Sequence, residues 1–154
     1  MKLNYLIIPL ITLTVASLGG YFTSLSLDSW YPSLEKPTWT PSGETIGIIW
    51  TFLYLLVTGV VLFFFNRFKK DAHFRIVISL FLLNALLNAT WSLLFFSFNL
   101  IFLSLLQMVL LILTVIFLIF LIWPKSKLLS LLLTPYLIWL LVAGSLNYFI
   151  WILN

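Results

Sequence analysis

Asn84, Asn88 and Trp91 punctuate an otherwise apolar run at offsets of zero, four and seven. On a helix the second and third lie within about 40° of the first, so all three share one face. Two carboxamides and an indole on one stripe can hydrogen-bond a neighbouring helix, the commoner use, or line a polar spot in a cavity. Amides in hydrocarbon need partners either way. Trp50 and Tyr54 stand one turn apart, with Ile46 and Val57 on the same face. Trp139 follows Pro135 by one turn and shares a broad face with Val142, Ala143 and Leu146. A proline there frees a backbone carbonyl and predicts a kink. The chemistry on offer is aromatic stacking and amide hydrogen bonding.

Acid–base, thiol and metal chemistry find no such set. There is no Cys, and the single His73 sits in the charged stretch Arg67–Arg75 with no second ligand near it in sequence. The four acids, Asp28, Glu35, Glu44 and Asp71, all lie outside the long apolar runs. No Ser/His/Asp arrangement and no phosphate loop is present. The absence of an intramembrane acid or base speaks against a proton-coupled pump. Gln107 is a lone amide and reads as a helix-packing contact.

The elements that must position these residues follow from composition. The 154 residues are 63% hydrophobic and 8% charged, with mean hydropathy +1.19. A soluble domain needs far more polar surface, so the solvent is lipid. Five apolar stretches run Tyr5–Leu27, Thr45–Phe65, Ile76–Phe98, Leu100–Trp123 and Leu128–Leu153. Each is long enough, at about 1.5 Å per residue, to cross a hydrocarbon core of about 30 Å. Backbone groups must be satisfied internally there, which predicts an all-α integral membrane protein, one domain of five helices in one bundle. The first stretch continues past the small residues Val15-Ala16-Ser17, as a retained span does and a cleaved signal does not.

Five spans put Lys2, Arg67, Lys69, Lys70, Arg75, Lys125 and Lys127 on one side, and Lys36 with Asp28, Glu35 and Glu44 on the other. Seven of eight cations on one face predicts the N-terminus inside and the C-terminus outside. The first loop, residues 28–44, then lies outside. It holds Trp30, Tyr31, Pro32, Leu34, Glu35, Lys36, Pro37, Trp39 and Pro41. Its prolines fix φ and remove backbone donors, which predicts a stiff, non-helical cover. Glu35 and Lys36 either stay at the water or tie the cover down. On the first span, Thr12, Ala16, Gly19, Gly20 and Thr23 share a face. Small residues there admit a close helix neighbour or thin the wall beside a flat ligand. Ala85, Ala89 or this small face can serve a homodimer.

These residues together resemble the TspO/MBR family, the tryptophan-rich sensory and translocator proteins. Trp30-Tyr31, Leu34-Glu35-Lys36-Pro37, Trp39 and Pro41 follow the family's WYxxLxKPxWxPP loop, with Ser42 in place of its last proline. Trp50-Thr51 and Leu53-Tyr54 follow WTxLY. Asn84 and Trp91 stand in the third-helix position, before Phe95-Phe96. Pro135-Tyr136, Trp139, Ala143 and Leu146-Asn147-Tyr148 follow PYxxWxxxAxxLNY. The resemblance covers nearly the whole chain, in order.

The resemblance implies a receptor-like membrane protein with a tetrapyrrole pocket walled by spans one, two, three and five and covered by loop one. Position by position, Tyr31, Trp50, Tyr54, Asn84, Asn88, Trp91, Trp139, Ala143 and Leu146 would line it. Protoporphyrin IX or a haem-related porphyrin would be a ligand there, with no obligatory cofactor, no metal and no nucleic-acid partner. Asn84 and Asn88 could then hydrogen-bond pyrrole nitrogens or propionates. Family members that promote light-dependent porphyrin breakdown leave a catalytic alternative, carried by Trp50 and Trp139 as electron donors. A sterol-binding or purely structural membrane protein is a further alternative. The apolar–Tyr–basic pattern of sterol-binding animal members lacks its basic residue after Tyr148. That gap and the Leu/Ile/Phe/Asn/Lys bias point to a bacterial cytoplasmic membrane.

Overall fold

The computed structural model describes residues 3–154, so Lys2 of the charge count lies outside the described residues. Its elements are α1 (Asn4–Ser24), α2 (Trp30–Ser33), α3 (Gly43–Arg67), α4 (Phe74–Ser92), a π-helical turn (Leu93–Ser97), α5 (Ile101–Ile122), α6 (Lys127–Leu132) and α7 (Thr134–Leu153). Among the described residues there is no strand. Five helical units are long and apolar enough to cross a membrane: α1, α3, α4 with its π turn, α5, and α6 with α7.

Local chemistry explains their ends and their polar residues. Ser42 caps α3, its Oγ accepting from Thr45 N at 3.2 Å. Ser126 caps α6 by accepting from Leu129 N at 3.3 Å. Such caps satisfy amides that a helix start leaves free. Within the spans, Thr14 and Thr51 donate to carbonyls one turn back, at 2.9 Å each. These exposed hydroxyls are thereby paired inside their own helix.

Two expectations need correction. Loop one is not wholly non-helical: Trp30–Ser33 forms one helical turn. Pro32 is tolerated there because the first-turn amides of a helix have no intrahelical acceptor, so nothing is lost at its missing N–H. The fifth span is not one continuous helix with a kink. It breaks at Leu133 into α6 and α7, with Pro135 in the first turn of α7. The carbonyl that Pro135 cannot serve, Leu131 O, accepts from Thr134 Oγ1 at 2.7 Å instead.

The spans close into a ring in the order one, three, four, five, two. α1 packs on α3 and α4, α4 on α5, α5 on α6 and α7, and α6 on α3. The main core, including Phe64, Val77, Val115, Leu118, Ile122 and Leu133, lies where α3, α4, α5 and α6 converge. A smaller cluster of Leu34, Phe95, Phe96 and Ile150 lies under loop one. α1 is the least embedded span, burying only Val15 and Gly19.

The ends are tied across the ring. Asn4 Nδ2 donates to Asn66 Oδ1 at 3.0 Å, and Lys125 Nζ meets Asp71 Oδ2 at 2.6 Å. These contacts gather the α3–α4 and α5–α6 loops and the start of α1 at one end. At the other end the side chain of Asn154 pairs with both backbone groups of Glu35 at 3.0 Å each.

Candidate ligand-binding cavity

The π turn at the end of α4 widens the helix where loop one meets the bundle. Phe98 N reaches back to Leu93 O and Leu100 N to Leu94 O. Asn99 then takes a left-handed conformation at φ 57°, which Asn tolerates better than most residues. The result turns two consecutive side chains, Phe95 and Phe96, inward together, both buried. Phe95 stacks on Trp91 with centroids 5.2 Å apart and planes 15° from parallel. Tyr31 leans on Phe96 at 5.5 Å, and Trp30 packs edge-on against Phe95 at 5.5 Å.

Beneath this aromatic cap lies a cavity of about 450 Å³. α1 contributes Ala16, Gly19, Gly20 and Thr23, and α3 contributes Trp50, Thr51 and Tyr54. α4 supplies Asn88 and Trp91, and α7 supplies Trp139, Ala143 and Leu146. Tyr31 and Pro41 close it from loop one. The small face of α1 packs closely at one position and borders open space at another. At Gly19 a Cβ would meet Ser92 Oγ at 3.4 Å, a close helix approach, whereas at Gly20 it would meet nothing within 4 Å.

Loop one is fastened from within. Lys36 Nζ donates to Tyr31 O and Leu34 O, 2.7 Å each, and lies 4.8 Å from the Tyr31 ring centroid. Burial raises the Tyr31 phenol above its ordinary pKa. Pro37 O accepts from Thr40 N at 3.0 Å, and Trp39 packs edge-on against Phe149 at 6.0 Å. Pro32 is exposed.

The amide stripe divides in use. Tyr54 OH donates to Asn88 Oδ1 at 2.8 Å, and Asn88 Nδ2 donates to Tyr136 OH at 3.2 Å. Tyr136 OH donates to Asn84 Oδ1 at 3.0 Å, and Asn84 Nδ2 to Thr114 Oγ1 at 2.8 Å. This chain crosses α3, α4, α7 and α5 at mid-depth. Asn84 does not line the cavity described above; it faces a second, smaller one on the far side of the chain. Trp91 Nε1 donates to Asn147 Oδ1 at 3.1 Å. Gln107 Nε2 donates to Leu87 O and Thr90 Oγ1, both at 2.6 Å, so it joins α5 to α4. In contrast, Trp139 Nε1 is buried with no acceptor among the described residues.

The sequence profile of the TspO/MBR family matches residues 7–152. The chain belongs to the TspO/MBR family. It is also 38% identical over 147 residues to the tryptophan-rich protein TspO of Archaeoglobus fulgidus, covering 94% of this chain and 93% of that relative. Membership and the five apolar helical units make it a multi-pass integral membrane protein.

Eight of the nine residues that the TspO/MBR resemblance assigns to a pocket line the larger cavity: Tyr31, Trp50 and Tyr54, Asn88 and Trp91, and Trp139, Ala143 and Leu146. Asn84 is the ninth. Of the loop-one residues, Pro41 lines it; Trp30 and Lys36 act on it through Phe95 and Tyr31. Sequence reasoning missed Phe95 and Phe96 as wall residues, Asn147, and the fourth span, whose Met108 and Leu111 close the back. Asn147 had a signal, since it stands in the quoted fifth-helix motif. Met108 and Leu111 had none, being apolar residues in an apolar helix. No group of three metal-ligating side chains occurs among the described residues.

Proposed function

We propose that the larger cavity binds tetrapyrroles, protoporphyrin IX and related porphyrins, and that the protein senses, carries or scavenges them in the membrane. The observation that carries this reading is a cavity of about 450 Å³ with indoles from two different helices, Trp50 and Trp139, in its wall. That volume is in the range of small-molecule sites, which are mostly apolar with a few placed polar groups. Offset stacking on indole faces suits a flat π-system. Trp50 itself already stacks on Tyr54, centroids 5.5 Å apart and planes 29° from parallel, so a broad aromatic surface is pre-formed.

The polar contacts assigned to the ligand shift, however. Asn84 and Asn88 spend their side chains on Thr114, Tyr54 and Tyr136, so they are poor partners for propionates or pyrrole nitrogens. The indole N–H groups of Trp50 and Trp139, both wall residues, have no hydrogen-bond acceptor among the described residues. By the bias of cations toward the Arg67–Lys127 end, the cavity end faces outward across the membrane of a bacterial cell.

The test is a titration of the detergent-solubilised protein with protoporphyrin IX in the dark, read by quenching of Trp fluorescence. Saturable quenching is expected, with affinity at least about tenfold weaker in the Trp50→Phe/Trp139→Phe double variant, a loss of about 1.4 kcal/mol. Equal affinity in the folded double variant would remove the assignment.

A further inference from the structure

The second cavity, about 250 Å³, lies on the opposite side of the Tyr54–Asn88–Tyr136–Asn84 chain, between α1, α3 and α4. We propose that it holds one acyl chain of a bilayer phospholipid, entering sideways from the membrane. Val15, Leu53, Val57, Val61 and Phe81 supply apolar wall from all three helices.

The hydroxyl and amide side chains around it, on Thr12, Tyr54, Asn84, Asn88 and Tyr136, are already paired. Thr58 Oγ1 donates to Thr12 Oγ1 at 2.8 Å, which donates to Ile8 O at 3.3 Å. Asn84 and Asn88 are spent within the hydrogen-bonded chain. A ligand carrying carboxylates would find no cationic side chain among the lining residues, and desolvating it would be costly. A plain hydrocarbon chain loses nothing.

The mouth decides the source. Ile7, Ile11 and Leu82 line this cavity and are also among the exposed large apolar residues of a membrane-spanning bundle. Their exposed faces therefore meet lipid, and the cavity is continuous with the bilayer rather than with water. An apolar cavity of this kind does not hold ordered water. Its lining lacks contact atoms on one side, and a neighbouring acyl chain supplies them. α1, which buries only Val15 and Gly19, is the wall least constrained by the core and the one a chain would enter beside.

The test uses the full-length protein in phosphatidylcholine vesicles doped with phosphatidylcholine bearing a mid-chain diazirine, photolysed and mapped by peptide mass spectrometry. Adducts on Thr12, Val15, Val57 and Phe81 should exceed those on Leu13, Leu55 and Leu83, which are exposed on the same three helices. Ala85→Phe, which fills the cavity from α4, should bring that excess down to the level of the outward leucines. Val57→Phe does the same from α3, so one misfolded variant leaves the other to decide. Saturating protoporphyrin IX should leave the adduct yield unchanged. No excess in the wild-type protein, or an excess indifferent to both folded filling variants, overturns the proposal. Displacement by protoporphyrin overturns it too, by making the two cavities one site. The wild-type and filling-variant arms stand even if the protein binds no porphyrin.

Discussion

Replacing Tyr136 by Phe keeps the ring and removes one oxygen. That oxygen donates to Asn84 Oδ1 at 3.0 Å and accepts from Asn88 Nδ2 at 3.2 Å. The ring also meets Trp50 edge-on at 6.3 Å, and Phe preserves this contact. Two inter-helix bonds at the membrane average of about 0.6 kcal/mol each set a floor near ~1 kcal/mol. Both amide atoms then lie buried without a partner, because Asn84 and Asn88 are almost fully shielded. Stranding buried polar atoms raises the expected loss toward ~3 kcal/mol. The assay is unfolding in mixed micelles by titrated dodecyl sulfate, followed by circular dichroism. Tyr148→Phe, at an exposed position on the same helix, is the control, with an expected change under about 0.5 kcal/mol. A double-mutant cycle with Asn84→Ala isolates the pair. If Tyr136→Phe costs no more than Tyr148→Phe and the cycle shows no coupling, the hydrogen-bonded chain does not hold the spans together.

The Asp71–Lys125 pair gives a pH dependence. The Lys125 hydrogen bond, then the His73 amide, hold the Asp71 carboxyl below its ordinary pKa. A depressed folded-state value means the contribution is fully present above about 3.9, the unfolded value, and is lost as pH falls through the folded value. Thermal stability in detergent should therefore fall more steeply below pH 4 in the wild-type protein than in Asp71→Asn; parallel curves would refute this. Asn154→Ala removes two bonds that fasten Glu35 in loop one. At roughly 1 kcal/mol for the pair, stopped-flow porphyrin quenching should show association and dissociation both faster by about fivefold. Unchanged rates with lowered stability would mean that loop one braces the bundle without gating the cavity.

The spans were legible because lipid leaves a chain few options, and the grouping of the cations at one end followed from counting. The Asn84/Asn88/Trp91 stripe was legible as a face, since the helical period alone defines one. What those amides bond was not. The partner of both is Tyr136, which is 52 and 48 residues away along the chain. Similar spacing would serve a ligand or a neighbouring helix. Pro135 signalled a disturbance, yet a hydroxyl at Thr134 had to serve Leu131 O for the span to break cleanly at Leu133. The π turn had no sequence mark, because it depends on how Phe98 and Leu100 reach back to Leu93 and Leu94. The motifs named much of the larger cavity's wall, but the volume of either cavity is a difference between packed volumes, which residue patterns do not encode.

The mid-depth chain also explains why this bundle can hold two cavities and still be one body. In lipid, apolar side chains gain little by choosing each other over acyl chains, so helix association rests on close packing and on polar contacts. Here close packing is concentrated on α5, where a Cβ at Gly144 would meet Met108 Cγ at 3.3 Å. α1 has no comparable core contact beyond Val15 and Gly19. Tyr54, Asn88, Tyr136, Asn84 and Thr114 bond α3, α4, α7 and α5 at one level. The helices can then separate above and below that level without parting. Trp50, Tyr54 and Asn88 line both cavities, so the same residues that join the spans divide the space between them.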